Sequence, residues 1–355
     1  GSVEGVQIYG PVTAQAFQTP LPRPIAGVGA WRHGLAEYDL PGGFTGVGHS
    51  GGTLSFFSNM VLTPKLGLGV FVAVNTESGG GLTDALPKRV VERFYAPPAP
   101  PAPPGSLALM RDRSAFEGHY LTTRRAYHGL EGFVFRLVRG QSIKVSPEGR
   151  LIVAGPGFVA RLSPVGSPTA GRFIDDDGVT PVVFEMRDGV ARRYYTGGGA
   201  AERQNVLRQP VALILLTVMT AVAAIATLGG LISRLRRDYR ESTAQRRAGL
   251  MEAGQAALWI AAIALFGAWA MNTGDLASVM YDWPGIPLML ASACALVASA
   301  MAVGSIVFLP FVWRGGRRVD SWTTGRKMRF TLTALIFFAY AVFLGTWGAL
   351  EPWSG

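Results

Sequence analysis

The distribution of apolar residues divides the chain into two parts that meet near residue 210. Before this point, short apolar runs alternate with turn residues, a pattern typical of β-rich globular folds. After it come four uncharged apolar runs, at about 211–233, 253–274, 285–312 and 330–350. Each is as long as the roughly 20 residues that cross a hydrocarbon core as a helix. We therefore predict four transmembrane helices over 209–352, behind a β-rich region.

The first 96 residues predict two adjacent strands followed by a helix. The strands are indicated at Thr53–Leu62 and Val70–Val74, on either side of a turn at Pro64-Lys65. Leu82–Tyr95 has apolar residues at helical spacing. A sheet this small would leave its edges and one face exposed, so we expect residues 1–96 to be the C-terminal part of a larger α+β domain. Weaker signals predict a helix over Pro11–Pro20, a strand over Gly27–Trp31 and a turn at His33-Gly34.

A proline-rich segment, residues 97–105 within the run APPAPPAPPG, predicts an extended linker between domains. Residues 106–205 beyond it carry short β-like runs, separated by turns such as Asp177-Gly178 and Asp188-Gly189. This regular spacing predicts a small antiparallel barrel or sandwich without helices. Phe133–Val138 is one of its predicted strands.

Charge and composition favour a membrane protein over a nucleic-acid-binding protein. The net charge is +10 and the mean hydropathy is +0.27. The basic residues cluster in two loops between apolar runs, whereas the loop Asp275–Asp282 has none; they are Arg234, Arg236, Arg237, Arg240, Arg246 and Arg247, then Arg314, Arg317, Arg318, Arg326, Lys327 and Arg329. Because basic loops stay in the cytoplasm, we expect a multi-pass protein of the inner (cytoplasmic) membrane. Residues 1–205 and the C-terminus would both lie on the outer, periplasmic or extracellular, side.

The run Gly46–Gly52 (GVGHSGG) is the strongest candidate for a functional site. A polar pair, His49-Ser50, lies beside an apolar strand and between glycines that let another molecule come close. The spelling G-x-S-x-G matches the nucleophile elbow of α/β-hydrolases, with Ser50 as the nucleophile. That elbow needs a strand before the serine and a helix after it, and the residues after Gly52 are typical of a strand. The run also matches the spelling of a dinucleotide-binding fingerprint. That motif too must open a helix, and the residues after this run are typical of a strand, so the match is one of spelling alone.

The order of features around this run resembles the C-terminal end of the serine β-lactamase and penicillin-binding-protein superfamily, in its class C and D-alanyl-peptidase-like esterase branch. In that family a strand with Lys-Thr-Gly or His-x-Gly comes before a proline, a turn like Gly-Leu-Gly and a strand that leads to the last helix. The matching residues here are Gly27–Trp31, His49-Ser50-Gly51, Pro64, Gly67-Leu68-Gly69 and Asn75. The resemblance covers roughly residues 10–96. The β domain and the four-helix tail resemble appendages that some membrane-bound members carry.

The resemblance implies a role for each residue of the segment His49–Gly52. The Gly52 N–H would be an oxyanion donor, and the Ser50 hydroxyl would bind a substrate carboxylate beside Gly51. His49 stands where the family often has lysine, so recognition of the carboxylate would depend on pH. The family's nucleophile motif, Ser-x-x-Lys, and its Tyr-x-Asn motif are not found at an admissible place in these 355 residues; Ser142-Ile143-Lys144 has the wrong spacing.

We therefore expect the C-terminal part of a membrane-anchored serine hydrolase, catalytically incomplete by itself, whose nucleophile is not in this chain. The expected reaction is acyl-enzyme hydrolysis of an amide, ester or D-amino-acid peptide bond. The expected partners are the lipid bilayer and a peptide or cell-wall-like substrate, with no nucleic acid. No metal or cofactor is expected, since the histidines are isolated and Asp175–Gly178 lacks the spaced ligands of a calcium loop. Two alternatives stay open: a non-catalytic envelope protein that binds a ligand or partner, and an α/β-hydrolase that uses Ser50.

Overall fold

The computed structural model describes residues 2–22, 25–234, 241–274, 281–314 and 321–354. The chain forms two compact units. The first unit comprises 1–124 and 139–204, and the second comprises 125–138 and 205–355. The first is mostly β-structure and the second is helical.

A five-stranded antiparallel sheet forms the first part of the β-rich unit. Its strands follow one another in chain order: β3 (Trp31–Arg32), β4 (Leu35–Leu40), β5 (Phe44–Gly52), β6 (Phe57–Thr63) and β7 (Leu68–Val74). Before the sheet come a small hairpin of β1 (Ser2–Val3) and β2 (Val6–Gln7) and a helix α1 (Pro11–Gln18). The strand expected over Gly27–Trp31 is largely wrong, because Gly27 has φ +99° and pairing begins only at Trp31. The predicted turn at His33-Gly34 joins β3 to β4, and both residues have positive φ.

One face of the sheet is covered by helix α2 (Gly80–Phe94), as the spacing of its apolar residues predicts. Val91 of this helix packs with Leu40 and Val61 of the sheet, and all three are almost fully buried. The turn between β6 and β7 is a short 3-10 segment, Pro64–Leu66, closed by Gly67 in the left-handed region. The predicted order of strand, proline turn, strand and helix is therefore confirmed.

A closed antiparallel barrel forms the rest of the β-rich unit, so the barrel alternative is confirmed over the sandwich. Its strands, in chain order, are β8 (Gly118–Thr122), β9 (Gly140–Val145), β10 (Leu151–Gly155), β11 (Phe158–Pro164), β12 (Arg172–Asp175), β13 (Pro181–Arg187), β14 (Val190–Thr196) and β15 (Gly199–Arg203). Aromatic side chains fill the interior. The rings of Phe116, Phe173 and Phe184 lie 5.2–5.3 Å apart and meet edge to face, a favoured geometry for aromatic pairs.

The expectation of no helix in residues 106–205 is wrong at two places. Helix α3 (Leu107–Arg111) precedes the barrel, and helix α4 (Gly129–Val138) replaces the predicted strand Phe133–Val138. A short apolar run does not by itself distinguish a strand from a buried helix. Here the run belongs to the helical unit, where Leu130, Phe133 and Val134 of α4 lie in its main apolar core.

Among the described residues of the second unit, four helices are long and apolar enough to cross a membrane, as the sequence predicts. They are α5 (Pro210–Arg234), α6 (Thr243–Met271), α7 (Ile286–Trp313) and α8 (Thr324–Trp347). Two of them begin earlier than their apolar runs. Ser242 and Gln245 form a reciprocal capping box at the start of α6, and Thr323 caps α8; such caps satisfy backbone N–H groups that a hydropathy window ignores.

Small residues and one buried amide join α6 to α7. Ala256, Ala295, Ala298 and Ala302 lie in the shared core, and small side chains let membrane helices approach closely. The Gln255 side chain donates to the carbonyl of Ala298 at 3.0 Å.

Part of the orientation signal lies outside the described residues. This part comprises Arg236, Arg237, Arg240, Arg317, Arg318 and most of the loop Asp275–Asp282. The described basic residues of this signal lie at the starts of α6 and α8 and at the ends of α5 and α7, and they flank the two basic loops. They are Arg246, Arg247, Arg326, Lys327 and Arg329 at the starts, and Arg234 and Arg314 at the ends.

Candidate substrate cleft

Strand β5 extends beyond its neighbour β4 and leaves part of one edge open. Residues Phe44–Gly48 pair with β4, whereas the pairing with β6 continues to Gly52. No strand of the described chain pairs with the β4 side of residues 49–52. These four residues are exposed. The predicted site therefore lies on an open strand edge.

The hydrogen-bond pattern of the sheet shows which backbone groups face this open edge. The Thr53 N–H donates to the carbonyl of Phe56 at 2.8 Å, so Thr53 and every second residue before it, including Gly51 and His49, face β6. The Ala30–Glu37 bond of 2.9 Å on the other side of β4 gives the same alternation, with Gly46 and Gly48 facing β4. The N–H and C=O groups of Ser50 and Gly52 therefore point to the open edge.

Ser50 belongs to a hydrogen-bonded cluster beneath this edge. The Tyr38 hydroxyl of β4 donates to Oδ1 of Asn59 at 3.0 Å, and Nδ2 of Asn59 donates to the carbonyl of Thr83 in α2 at 3.2 Å. Ser50 also hydrogen-bonds Tyr38. Asn59 is fully buried, so the cluster ties the end of β5 to β4, β6 and α2.

Burial and its neighbours set the ionisation of Tyr38. Burial raises the pKa of Tyr38; the hydrogen bond with Ser50 lowers it, the nearby Asp84 charge raises it, and the Asn59 bond lowers it. The net effect is a raised pKa, so Tyr38 is neutral at physiological pH. It is thus a hydroxyl donor in the cleft rather than a phenolate base.

The open edge borders a polar cleft of about 320 Å³ within the β-rich unit. Its walls come from the sheet, from α2 and from the barrel loops, and they carry both polar and apolar groups. The polar side chains lining it are Glu37, Tyr38, Asp39, His49, Ser50, Asp84, Lys88, Arg124, Thr180 and Thr196. His49 also contacts Trp31, with ring centroids 6.2 Å apart.

Lys88 fixes one side of the cleft by joining α2 to the barrel. Its Nζ lies 2.5 Å from Oδ2 of Asp177 and 2.6 Å from Oγ1 of Thr180. Burial would raise the pKa of Asp177, but its hydrogen bonds with Lys88 and Thr180 outweigh burial and lower it. Asp177 is therefore a structural partner of Lys88.

Asp84 and Arg124 are the charged groups of the cleft with the clearest chemical consequence. Burial raises the pKa of Asp84, and the charge of Lys88 opposes this only in part. Arg124 is exposed, and no ion pair of its guanidinium is found within the described ranges. Arg124 therefore offers a permanent positive charge to an anionic ligand.

The structure brings His49, Ser50, Gly51 and Gly52 together on one edge, as expected from their adjacency. Sequence reasoning missed Tyr38, Asp84 and Lys88, which line the cleft, and Asn59, which is buried beside Tyr38. The spacing of Asp84 and Lys88, four residues apart on α2, places them on one helix face and was a usable signal. Tyr38 and Asn59 meet only through strand pairing, which the sequence does not specify.

The glycines of β5 serve two different purposes. A Cβ on Gly48 would lie 1.8 Å from the carbonyl oxygen of Met60, and one on Gly46 would lie 2.5 Å from Val61. Both glycines therefore admit the neighbouring strand β6, and not a ligand as the sequence suggested. Gly52 has only ordinary contacts, with Phe57 at 3.5 Å.

The geometry of an α/β-hydrolase elbow is not present at Ser50. Ser50 lies within β5, and the next element is the strand β6 rather than a helix. The same order of elements excludes a dinucleotide-binding fingerprint, because that motif must open a helix. Ser50 therefore lacks the strand-to-helix turn on which a nucleophile elbow depends.

No protein-family model matches the chain, and no curated protein matches it. Among solved structures, it is similar to SurE crystallised with D-Leu, at 20% identity and a TM-score of 0.32, over 54% of this chain and 43% of SurE. It is also similar to an octameric penicillin-binding protein homologue from Pyrococcus abyssi, at 16% identity and a TM-score of 0.20, over 53% of this chain and 40% of the homologue. The chain thus spans less than half the length of either protein.

Proposed function

We propose that this chain supplies one wall of the substrate cleft of a membrane-anchored, β-lactamase-like serine hydrolase. The proposed reaction is the transfer of an acyl group to a serine outside these residues, followed by hydrolysis of the acyl-enzyme. The substrate would be an amide, an ester or a D-amino-acid peptide. The observation that supports this most is the open edge of β5, to which the N–H groups of Ser50 and Gly52 point and which borders the cleft at Ser50.

An open strand edge suits an extended substrate because its backbone groups are free to pair with it. The Gly52 N–H would then donate to the oxyanion that forms when the carbonyl is attacked, which lowers the barrier by several kcal/mol in a site that excludes water. A substrate paired with this edge would also contact Ser50 and His49. This is the arrangement that the resemblance of residues 10–96 implies.

Arg124 adds a means of recognising a carboxylate that the sequence resemblance does not contain. His49 stands in the position of the family's lysine and carries a full charge only when protonated. Arg124 lines the same cleft and stays charged at any physiological pH. A substrate with a free C-terminal carboxylate, as in cell-wall-like peptides, fits this charge.

The proposal is tested by locating the serine that reacts with an acylating probe. The protein purified from its native membrane is treated with a fluorescent penicillin or a fluorophosphonate, and the labelled peptide is identified by mass spectrometry. We expect the label on a serine outside residues 1–355. A label on Ser50 would support the α/β-hydrolase alternative, and no label with either probe would contradict the hydrolase proposal.

The non-catalytic alternative is favoured by one observation, the absence of Ser-x-x-Lys from these 355 residues. In that case the cleft would bind an anionic peptide without cleaving it.

We further propose that the four helices anchor the protein in the inner membrane, with residues 1–205 and the C-terminus on the outer side.

A further inference from the structure

The helical unit contains an apolar cavity of about 250 Å³. It lies near the end of the bundle at which α5 and α7 begin and α6 and α8 end. Its walls include Leu213 of α5, Trp259 of α6, Ala295 of α7 and Leu344 of α8. Helix α4, which is too short to span a membrane, adds Phe133 to the wall. The cavity is larger than the roughly 150 Å³ that admits a benzene-sized molecule in a protein core.

The hydroxyl groups at the cavity are already satisfied by the protein, and among the described residues of its wall only the indole N–H of Trp259 is a buried polar group without a hydrogen-bond partner. The hydroxyls of Thr217 and Tyr340 hydrogen-bond each other at 2.9 Å. Ser292 donates to the carbonyl of Ala349 at 2.7 Å. A polar ligand would therefore find few partners here, whereas an apolar one would bury its surface favourably.

The cavity is continuous with the surface that faces the bilayer. Ile214 and Val218 line it and are also 59% and 55% exposed on the outside of the bundle. Tyr340 lies seven residues before the end of α8 at Trp347, about 10 Å along the helix axis. This depth corresponds to the lipid acyl chains, since the hydrocarbon core is roughly 30 Å thick.

We propose that this cavity binds one hydrocarbon chain of a membrane lipid, which enters from the bilayer past Ile214 and Val218. The occupant follows from the surroundings: acyl chains are the medium at the opening, and the lining matches their chemistry. The chain belongs either to a phospholipid or to a free fatty acid, because both present the same apolar surface. The inference depends only on the helical unit and is independent of the proposed hydrolase activity.

Photo-crosslinking in vesicles tests the proposal. The full chain is reconstituted in phosphatidylethanolamine–phosphatidylglycerol vesicles that contain phosphatidylethanolamine with a diazirine midway along one acyl chain. A parallel sample contains a free fatty acid with the same diazirine. After irradiation, we expect labelled residues in the cavity wall, such as Leu213 or Leu344. The sample that gives this labelling identifies the source of the chain. Labelling confined to outward-facing positions such as Val297 and Val303 in both samples would overturn the proposal.

Two matched variants, each replacing an alanine of α7 by phenylalanine, make the test more specific. Ala295→Phe fills the cavity, whereas Ala300→Phe adds the same bulk on the exposed side of the same helix. We expect about ten-fold weaker cavity labelling for Ala295→Phe, equivalent to about 1.4 kcal/mol, and no change for Ala300→Phe. Equal labelling in the two variants would contradict the proposal. If Ala295→Phe fails to fold, Ala262→Leu fills the cavity from α6 with the same expected loss, and the wild-type labelling pattern decides the question by itself.

Discussion

Gly48 shows how a single residue determines the shape of the candidate site. A side chain at this position would meet the backbone of β6 at 1.8 Å, so only glycine allows the two strands to pair this closely. The atom that a Cβ at position 48 would meet is the backbone carbonyl oxygen of Met60. The glycine-rich run that marks the site in the sequence is thus partly a packing requirement of the sheet.

Gly48→Ala should destabilise the sheet, because the backbone of β6 cannot move away without loss of pairing. We expect a loss of about 2 kcal/mol or more, at the upper end of the range for overpacking. The thermal midpoint should fall, and amide exchange in β5 and β6 should become faster. Gly81→Ala is the control. Gly81 lies in α2, and a Cβ added there would have no neighbour within 4 Å beyond its own helix backbone. This substitution should be neutral or stabilise by up to about 1 kcal/mol. Equal effects of the two substitutions would contradict this explanation of Gly48.

Asp84 gives the cleft a pH dependence of stability. Because its folded pKa is raised by burial, its favourable contribution is fully present below its unfolded pKa, roughly 3.9, and is lost as pH rises through the folded pKa. Asp84→Asn removes this loss. The variant should therefore melt at a higher temperature than wild type at pH 7 and at the same temperature near pH 3. Asp188→Asn, in the exposed turn after β13, controls for the substitution itself. An Asp84→Asn variant less stable than wild type at pH 7 would contradict the assigned direction.

At the scale of elements, helix α4 is the clearest case of a structure that the sequence did not predict. Its apolar run is as short as a strand, and its neighbours in sequence are barrel strands. What makes it a helix is its contact with distant residues of the helical unit. The buried Arg136 donates to the carbonyl of Trp347 at 2.6 Å and to that of Tyr127 at 2.8 Å. Local propensity contains no information about such contacts.

Arg136→Met should weaken the attachment of α4 to the end of α8. The substitution removes two charge-assisted hydrogen bonds and leaves the buried carbonyl of Trp347 without its donor, at a cost of about 2–3 kcal/mol. Burial and the charges of Arg125 and Arg208 lower the pKa of Arg136. We expect a lower thermal midpoint in detergent and faster chymotryptic cleavage within 129–138. Arg139→Met, at the exposed neighbouring arginine, should change neither, and a loss as large there would contradict the role of Arg136.

The elements that were predicted well are those with a strong local pattern. The transmembrane helices follow from uncharged length, α2 from the spacing of its apolar residues, and the β6–β7 hairpin from Pro64 and Gly67. The cleft was only partly predictable. His49–Gly52 are adjacent in sequence, but Tyr38 and Asn59 come beside them only through strand pairing, and Arg124 lines the same cleft from the barrel.

At the scale of the whole molecule, the proposed orientation is open to a direct measurement. With Cys294→Ala removing the native thiol, single cysteines are placed at Asp188 in the barrel and at Gly325 at the start of α8. A membrane-impermeant maleimide should label Asp188→Cys in intact cells and Gly325→Cys only after permeabilisation. The physical reason is that basic residues beside α6 and α8 resist transfer across the membrane. Labelling of Gly325→Cys in intact cells would reverse the proposed topology.

We propose that the Gly52 N–H on the open edge of β5 stabilises the oxyanion of an acylation reaction. Because this N–H faces away from β6, Gly52→Pro removes it without loss of a ladder hydrogen bond, whereas Gly52→Ala keeps it. The decisive measurement is the rate of acylation by a fluorescent penicillin in protein from the native membrane. We predict that Gly52→Pro reacts about 10²–10³-fold more slowly than Gly52→Ala, the loss expected for one oxyanion donor. Equal rates for the two variants would contradict the claim.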